Sequence, residues 1–478
     1  MTDHPLDLAG IGIGPFNLSL AAQLDAVEDI DALFFDRAPA FDWHPGMMLP
    51  DAALQTSFLK DLVTPVKPTS PWSFLAYLVA QKRFYEFLNA EFGAVPRQEF
   101  AQYLAWVAAR LPNLRFGTAI HEVRFEADRF RLRGDAGTAH ARNIALGVGL
   151  QPNLPAFAGK LDPRDHVHSA QAASVFDRIA GRRVAVIGGG QSGAEIVLTL
   201  LNRGPDAPAS VDWISRRPNF QPIDATPFTN ELFTPGYVER FHTLPEARRR
   251  ATVAHQKLAG DGISTATLQA IYQRLYTMRH LAGLHAADAS ITTRLMPHRE
   301  VLDVERAGGS YHLLMRNGFD GRIDVAHADI VILATGYRFA LPPCLSPLLG
   351  RLALDSAGRP QVGPDFAAAW DGPVRNRIFV LNGGLISHGI AEPQLSLMAW
   401  RSAVIINAVA GRPVFEIDLP PSLIDWSSAE CRRTAQDDKG RMDGVGSLSP
   451  FETVRLSRPA ARVRERGIPA SRTWILKH

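Results

Sequence analysis

The stretch Leu8-Ala9-Gly10-Ile11-Gly12-Ile13-Gly14-Pro15-Phe16-Asn17 decides the fold, because it joins an apolar run to a glycine-rich turn. The same pattern recurs in Arg183-Val184-Ala185-Val186-Ile187-Gly188-Gly189-Gly190-Gln191-Ser192-Gly193. Where a buried strand turns into a helix, glycines let the backbone approach a pyrophosphate, and the helix N-terminus stabilises its charge. One such turn is weak evidence, but two predict an α/β chain with two Rossmann-like dinucleotide-binding domains and redox chemistry.

The residues after the second strand of each unit indicate what the unit binds. The strand at 32–35 ends at Asp36, about 20 residues beyond the glycines, where an acid can hold adenosine ribose hydroxyls. A simple strand-capping role is the alternative. The strand at 211–215 is followed by Arg216 and Arg217 and by no acid. Because arginine pairs with a 2′-phosphate that an acid would repel, this favours NADPH over NADH, although two solvated arginines would look the same.

Composition narrows the class of protein. The chain has 478 residues, 46% hydrophobic and 21% charged, with a formal net charge of +3. This predicts a globular protein of two or three domains with dispersed basic residues, so no nucleic-acid partner is expected. The sequence has no apolar run of membrane-helix length and no signal-peptide pattern. The two cysteines, Cys344 and Cys431, are too far apart for a disulfide reductase motif and favour the reducing cytoplasm.

The order of patterns predicts how the chain is divided. We expect residues 1–178 to begin the first nucleotide-binding domain and residues 326–426 to complete it. Residues 179–325 are the predicted second domain, with a mainly helical region at about 226–285. Residues 427–478 lack periodicity and are expected to form a loosely held basic tail. The long irregular segment at 41–75 is expected to be functional, because loops of that length inside compact domains usually are.

Five segments together resemble the flavin-dependent N-hydroxylating monooxygenases of siderophore biosynthesis, and in particular their lysine N6-monooxygenase and alcaligin-type putrescine branch. The segments are 12–18, Trp43-His44-Pro45-Gly46-Met47, 54–62, Ala334-Thr335-Gly336-Tyr337 and 388–396. The resemblance implies bound FAD, NADPH as reductant and O2 as co-substrate. In that family the reduced flavin forms a C4a-hydroperoxide, and a neutral terminal amine attacks its distal oxygen to become a hydroxylamine. The substrates implied are L-lysine or a diamine, putrescine or cadaverine.

The resemblance also assigns residues. Gln55, near the flavin C4a, and Asn230, near substrate and nicotinamide, are the expected catalytic residues. Those carried over to the flavin and NADPH are Gly12, Gly14, Pro15, Phe16, Asn17, Asp36, Trp43, His44, Gly188, Gly190, Gln191, Ser192, Gly193, Arg216, Arg217, Thr335, Gly336 and Tyr337. Lys60 matches a lysine that pairs with a substrate carboxylate, and Ser396 matches a polar group beside the substrate. No metal is assigned.

One departure from the family pattern bears on the substrate. Ornithine hydroxylases carry a second asparagine about 30 residues after the first, whereas this chain has Gly260-Asp261-Gly262 there. Asp261 could hold the second ammonium of a diamine, or it could be a turn residue, since Asp-Gly favours turns. Lysine and diamines therefore both stay open, and ornithine is disfavoured.

Two other classes of protein fit the sequence less well. Carbon- or sulfur-oxygenating flavoproteins usually carry Phe-x-Gly-x-x-x-His before the second turn, but here Phe157 and Gly159 are followed by His166, too late for that spacing. A non-catalytic dinucleotide-binding module would tolerate loss of the glycines or of the 41–62 loop, which are both intact. The resemblance further implies a homo-oligomer, most often a tetramer.

Overall fold

The computed structural model describes residues 4–281, 291–418 and 422–426. Within one compact unit that ends at Trp426, two separate sheets carry the two glycine-rich turns. The predicted α/β class with two Rossmann-like folds is confirmed. The predicted tail at 427–478 lies outside the described residues. No helix in the described ranges is long and apolar enough to cross a bilayer.

The first sheet has seven strands. They are β1 (Leu6–Ile11), β2 (Ala32–Phe35), β3 (Leu114–Arg115), β4 (Ile120–Glu126), β5 (Arg129–Gly134), β6 (Gly137–Leu146) and, from the C-terminal part, the last strand β17 (Ile378–Val380). Their order is β3-β2-β1-β6-β5-β4, and β17 adds to β6 in parallel. β1 pairs in parallel with both β2 and β6, so it is central and buried on both faces, as its continuous apolar run predicts.

The second sheet has five parallel strands, β8 (His166–His168), β9 (Arg183–Ile187), β10 (Ser210–Ile214), β11 (Thr292–Met296) and β15 (Ile330–Leu333). Their order is β11-β10-β9-β15-β8. A three-stranded antiparallel sheet covers it, built of β12 (Arg299–Ala307), β13 (Ser310–Asn317) and β14 (Ile323–Ala328).

The chain passes between the two folds at one short antiparallel pair, β7 (Gln151–Pro152) and β16 (Tyr337–Arg338). This corrects the predicted boundaries at 178 and 326, because β8 and β15 both belong to the second sheet. The apolar sequence of β15 predicts a buried strand, but it does not predict which strands β15 pairs with; in the structure these are β8 and β9. The second fold therefore spans 153–336 and the first fold the residues on either side.

Helices cover the sheets and build the region between them. They are α1 (Pro15–Leu24), α2 (Phe74–Ala80), α3 (Phe84–Asn89), α4 (Arg97–Ala108), α5 (Gln191–Leu201), α6 (Pro227–Asn230), α7 (Pro235–His242), α8 (Glu246–His255), α9 (Lys257–Asp261), α10 (Thr265–His280), α11 (Leu385–His388) and α12 (Met398–Ala410). α1 is buried all round, consistent with its contacts with α12, α4 and β2. The helical region predicted at 226–285 corresponds to α6–α10; its last four positions lie outside the described residues.

Candidate functional site

The first glycine-rich turn has a geometry that only glycine allows at its first position. Gly12 has φ +84°, and a Cβ there would lie 2.6 Å from the Gly147 carbonyl oxygen. Gly14 is the N-cap of α1 and Pro15, which needs no amide partner there, its first residue. Asn17 is fully buried beneath the turn, where its amide donates to the Gly12 carbonyl at 2.7 Å. Asn17 therefore shapes the turn, and its approach to the flavin stays a prediction.

Asp36 lies at the end of β2, as predicted, but its carboxylate is already engaged. One oxygen accepts a hydrogen bond from the Ile13 amide at 2.6 Å, and the other accepts from the Ala38 amide at 2.8 Å. These bonds close the glycine-rich turn from the side. They favour the capping role over the ribose role, which stays a prediction.

A cavity of about 730 Å³ opens at the N-terminus of α1, and both folds contribute to its wall. Eleven of the predicted site residues line it: Gly14, Pro15, Phe16, Trp43, His44, Gln55, Lys60, Ser192, Asn230, Tyr337 and Ser396. Gln55 and Asn230, which are far apart in sequence, thus share one cleft. The remaining predicted residues do not line this cavity.

The irregular segment at 41–75 forms much of this wall and is fixed from within. Asp61 is buried, and its carboxylate accepts hydrogen bonds from the amides of Val63, Thr64 and Phe74. Trp43 packs edge-on against Phe100 of α4 at 5.8 Å. A loop tied in this way can present cavity-lining groups in a defined position without regular secondary structure.

Charges in the cavity are few. The basic and acidic lining residues in the described part of the chain are His44, Lys60, Arg97 and Asp224. Lys60 makes no ion pair with any described residue, and burial lowers the pKa of its ammonium. The cavity thus offers one unpaired cation, Lys60, and one carboxylate, Asp224.

His44 has an unusual backbone, with φ +53°, and its ring meets the Trp43 ring at 5.0 Å. Although part of the side chain is exposed to solvent, desolvation of the ring by the surrounding protein, with a smaller contribution from the Arg97 charge, lowers the pKa of its imidazole to about 4. His44 is therefore neutral at physiological pH. This suits a residue next to an apolar ring system and excludes it as a cation for phosphate.

The His44 pKa gives a testable prediction. The ring signal that disappears in His44→Gln should keep its neutral chemical shift from pH 8 down to about pH 5. Because the unfolded chain takes up this proton at higher pH than the folded one, acid between pH 6.5 and 4 should lower the free energy of unfolding. Histidine ring NMR over this range checks the prediction. A midpoint near 6.5 would show that the ring is solvated.

The second glycine-rich turn is packed as tightly as the first. A Cβ on Gly188, at φ +140°, would lie 2.0 Å from the Ala334 carbonyl oxygen, and one on Gly193 would lie 2.2 Å from that of Gly188. Gly190 is the N-cap of α5, and Ser192 in its first turn faces the cavity. Gln191, predicted to contact pyrophosphate, instead accepts the Ser264 amide and donates to Glu195 and Thr267. Its side chain braces the turn.

Arg217 and Asp261 form an ion pair that sequence reasoning did not foresee. The Arg217 Nη2 lies 2.7 Å from the Asp261 Oδ2, and Lys257 lies 3.4 Å from the same oxygen. Asp261 does not line the cavity, although its neighbours Ala259 and Gly260 do. These ion pairs favour a structural role for Asp261, and its contact with a substrate ammonium stays a prediction. Arg216 is exposed beside Arg217, and the 2′-phosphate role of both stays a prediction.

Thr335 and Gly336 follow β15 and hold the crossing between the folds. The Thr335 hydroxyl donates to the Asn153 carbonyl at 2.6 Å, and the Gly336 carbonyl accepts from the His168 ring at 2.9 Å. Tyr337, the next residue, lines the cavity, and the cofactor contacts of Thr335 and Gly336 stay predictions.

A buried group behind the cavity was missed in the sequence. Glu392 and Arg401 form an ion pair at 3.4 Å with both side chains about 1% exposed or less. The Arg401 guanidinium lies 4.3 Å from the centre of the Phe16 ring, and Glu392 accepts the amide of Asn382 at 2.8 Å. Asn382 lines the cavity, and its buried Oδ1 has no partner. Glu392 lies within a family-like segment, but its role depends on a partner that the segment does not name.

Comparison with known proteins identifies what this arrangement resembles. Residues 4–339 match the family described as L-lysine 6-monooxygenase/L-ornithine 5-monooxygenase. The L-lysine N6-monooxygenase of Escherichia coli is 42% identical over 425 residues, covering 88% of this chain and 99% of the relative. The FAD-bound cadaverine monooxygenase of desferrioxamine biosynthesis from Erwinia amylovora superposes with a TM-score of 0.81 at 32% identity, covering 89% of this chain and 100% of the other. A Kutzneria ornithine N-hydroxylase, solved with reduced FAD, NADP+ and L-ornithine, gives a TM-score of 0.77 at 28% identity, covering 85% and 99%.

Proposed function

The chain belongs to the L-lysine 6-monooxygenase/L-ornithine 5-monooxygenase family, and from this we propose that it hydroxylates the terminal amine of L-lysine. It is a flavin-dependent amine N-monooxygenase that uses FAD and NADPH in siderophore biosynthesis. What needs argument is the substrate, because relatives that act on lysine, on ornithine and on cadaverine are all similar to it.

The residues of the first fold fit FAD. Because Gly12 has no Cβ, the turn packs closely against Gly147, and the N-terminus of α1, which has no side-chain cap, offers its first-turn amides to a pyrophosphate. Asn382 lines the same cavity as Phe16 and Trp43, so the wall offers both apolar rings and a side-chain amide. When bound, FAD supplies activation of O2 and oxygen transfer. The protein has to bind the cofactor and the amine, orient them, and keep water out of the cavity.

Lys60 is the observation that supports lysine as the substrate. A half-buried ammonium without an ion-pair partner attracts an anionic group, and the α-carboxylate of an amino acid is such a group. The same desolvation that lowers the pKa of Lys60 would act on the terminal ammonium of the substrate. This favours the neutral amine, which alone has the lone pair that N-oxygenation needs.

Asp224 supports the alternative, a diamine. Among the described residues that line the cavity, Asp224 carries the carboxylate. It could bind the second ammonium of a diamine, the role that the sequence suggests for Asp261. Its Oδ1, however, already accepts the Thr229 hydroxyl at 2.7 Å, which fixes the start of α6. An amino acid would use both Lys60 and Asp224, whereas a diamine would leave Lys60 without a partner.

Replacing Lys60 by methionine tests the proposal. A hydrogen bond to a charged group is worth about 1.5–3 kcal/mol, so the KM for L-lysine should rise about 10- to 100-fold in Lys60→Met. The KM for cadaverine should not rise. Formation of hydroxylamine from lysine, cadaverine, putrescine and ornithine measures both. Lys67→Met, at a lysine outside the cavity, is the matched control.

Two outcomes would contradict lysine as the substrate while leaving the enzyme class intact. One is a wild-type preference for cadaverine or putrescine in kcat/KM. The other is an unchanged KM for lysine in Lys60→Met.

We also propose a homo-oligomer in the cytoplasm. Val79, Tyr85 and Leu88 of the neighbouring helices α2 and α3 are 60–77% exposed, which supports a contact with a second copy. Cys344 is a free, buried thiol, as expected of a reducing compartment.

A further inference from the structure

Arg97 and Glu195 form an ion pair that joins the two folds. Arg97 is the first residue of α4 in the first fold, and Glu195 lies on α5 in the second. The contact is bidentate, with Nη2–Oε1 at 2.8 Å and Nη1–Oε2 at 3.0 Å. The side chains are 14% and 5% exposed. Such a pair is directional, because two parallel bonds fix the planes of both groups.

On the side of the first fold, the pair is attached to the cavity wall. The Arg97 Nη1 also donates to the Met47 carbonyl at 2.9 Å, and Arg97 and Met47 both line the cavity. Met47 ends the short 3-10 helix Pro45–Met47 that follows His44. A shift of Arg97 therefore moves the segment expected to lie along the flavin.

On the side of the second fold, the pair is attached to the second glycine-rich turn. Glu195 accepts from the Gln191 amide group at 2.9 Å, and Gln191 accepts from the Ser264 amide at 2.7 Å. Gln191 is the first residue of α5, directly after the turn, and Ser264 caps α10. A continuous series of hydrogen bonds thus joins the second glycine-rich turn, the start of α10 and the loop that contains His44 and Met47.

We propose that the Arg97–Glu195 pair sets the position of the second, NADPH-binding fold relative to the loop that contains His44 and Met47. Glu195 is then a positioning residue for hydride transfer from NADPH to the flavin. Hydride transfer requires the donor carbon and the acceptor nitrogen to approach within a fraction of an ångström of one geometry. Covalently, the folds are joined through the crossing at β7 and β16 alone among the described elements, so their relative position has to be fixed by such contacts. Glu195 does not line the cavity and acts through Arg97 and Gln191.

A charge argument predicts the opposite result and so makes the proposal testable. Glu195 is a carboxylate in the second turn of α5, near the place where the helix N-terminus would hold pyrophosphate. If only its charge mattered, Glu195→Gln would remove the repulsion between the carboxylate and the pyrophosphate and would strengthen the binding of NADPH. If position matters, Glu195→Gln slows reduction of the flavin even at saturating NADPH.

The experiment uses the full-length, FAD-loaded protein without amine substrate. We expect Glu195→Gln to lower the anaerobic rate of flavin reduction at saturating NADPH at least tenfold. The KM for NADPH and the affinity for FAD, measured by flavin fluorescence, should stay within twofold. Hydrogen exchange of the amides at 264–268 should become faster, because the side chain of this variant keeps one acceptor oxygen instead of two, and Gln191 and Arg97 then compete for it. Glu195→Asp, which keeps the charge but shortens the side chain, should show the same direction of change if Glu195→Gln does not fold.

The control is Asp329→Asn. Asp329 pairs with Arg183 at 2.6 Å within the second fold and does not connect the folds, so the reduction rate should stay at the wild-type value. A reduction rate within twofold of wild type in Glu195→Gln would overturn the proposal. So would a parallel loss of FAD affinity and of the unfolding midpoint, because the pair would then be a general stabilising contact.

Discussion

Replacing Gly12 with alanine should leave the protein unable to retain FAD. The new Cβ would lie 2.6 Å from the Gly147 carbonyl oxygen and 2.9 Å from its carbon, and both are backbone atoms that cannot rotate away. The turn must then open, and the amides of α1 lose their direction toward the pyrophosphate. We expect the affinity for FAD to fall at least about 100-fold, equivalent to about 2.7 kcal/mol. Fluorescence titration of the apoprotein with FAD measures this.

Gly117→Ala separates the clash from backbone strain. Gly117 has φ +63°, which alanine also disfavours, but a Cβ there meets nothing within 4 Å. It should cost about 1 kcal/mol of stability and leave FAD affinity unchanged. If Gly12→Ala bound FAD as well as Gly117→Ala does, the first turn could not be the pyrophosphate site.

Replacing Glu392 with glutamine should destabilise the protein more than any other single charge removal described above. Its partner Arg401 would stay buried between the rings of Phe16 and Phe366 without a counter-charge. Removing one member of a buried pair costs about 3–5 kcal/mol. Urea unfolding followed by tryptophan fluorescence should show the loss in the midpoint with an unchanged slope.

The exposed pair Arg412–Asp29 is the matched control. Its side chains are 52% and 60% exposed, and water screens such pairs, so Asp29→Asn should leave the urea midpoint within error of wild type. If Glu392→Gln behaved in the same way, the Glu392–Arg401 pair could not be a buried charge pair in solution.

The parts of the fold that local chemistry determines were predictable. Gly12 and Gly188 occupy turns that a side chain would block, and each turn directly follows a mainly apolar strand. Because each strand and its turn are adjacent in the sequence, the local pattern is enough to predict both. The common cavity of Gln55 and Asn230 came from resemblance, because no spacing rule joins residues so far apart.

The parts that depend on a distant partner were not predictable. Asp261 was expected at the substrate, but Arg217 lies close enough to pair with it. Gln191 is expected at a phosphate, but its side-chain amide bonds to Glu195 on α5, to Thr267 on α10 and to the N-cap residue of α10, Ser264. The apolar run of β15 predicts a buried strand, but it does not predict pairing with β9, because hydrophobicity reports burial and does not specify the neighbouring strand.

The paired entry and exit at β7 and β16 have a consequence for how such enzymes can diversify. Pro152 and Tyr337 pair with each other, so the segment between them is a single insert whose two ends lie side by side. Exchanging it between relatives would leave the flavin half of the polypeptide with the same two neighbouring attachment points. A compatible donor would need, above all, an acid where Glu195 meets Arg97. Nicotinamide preference and flavin chemistry can in this way be inherited separately.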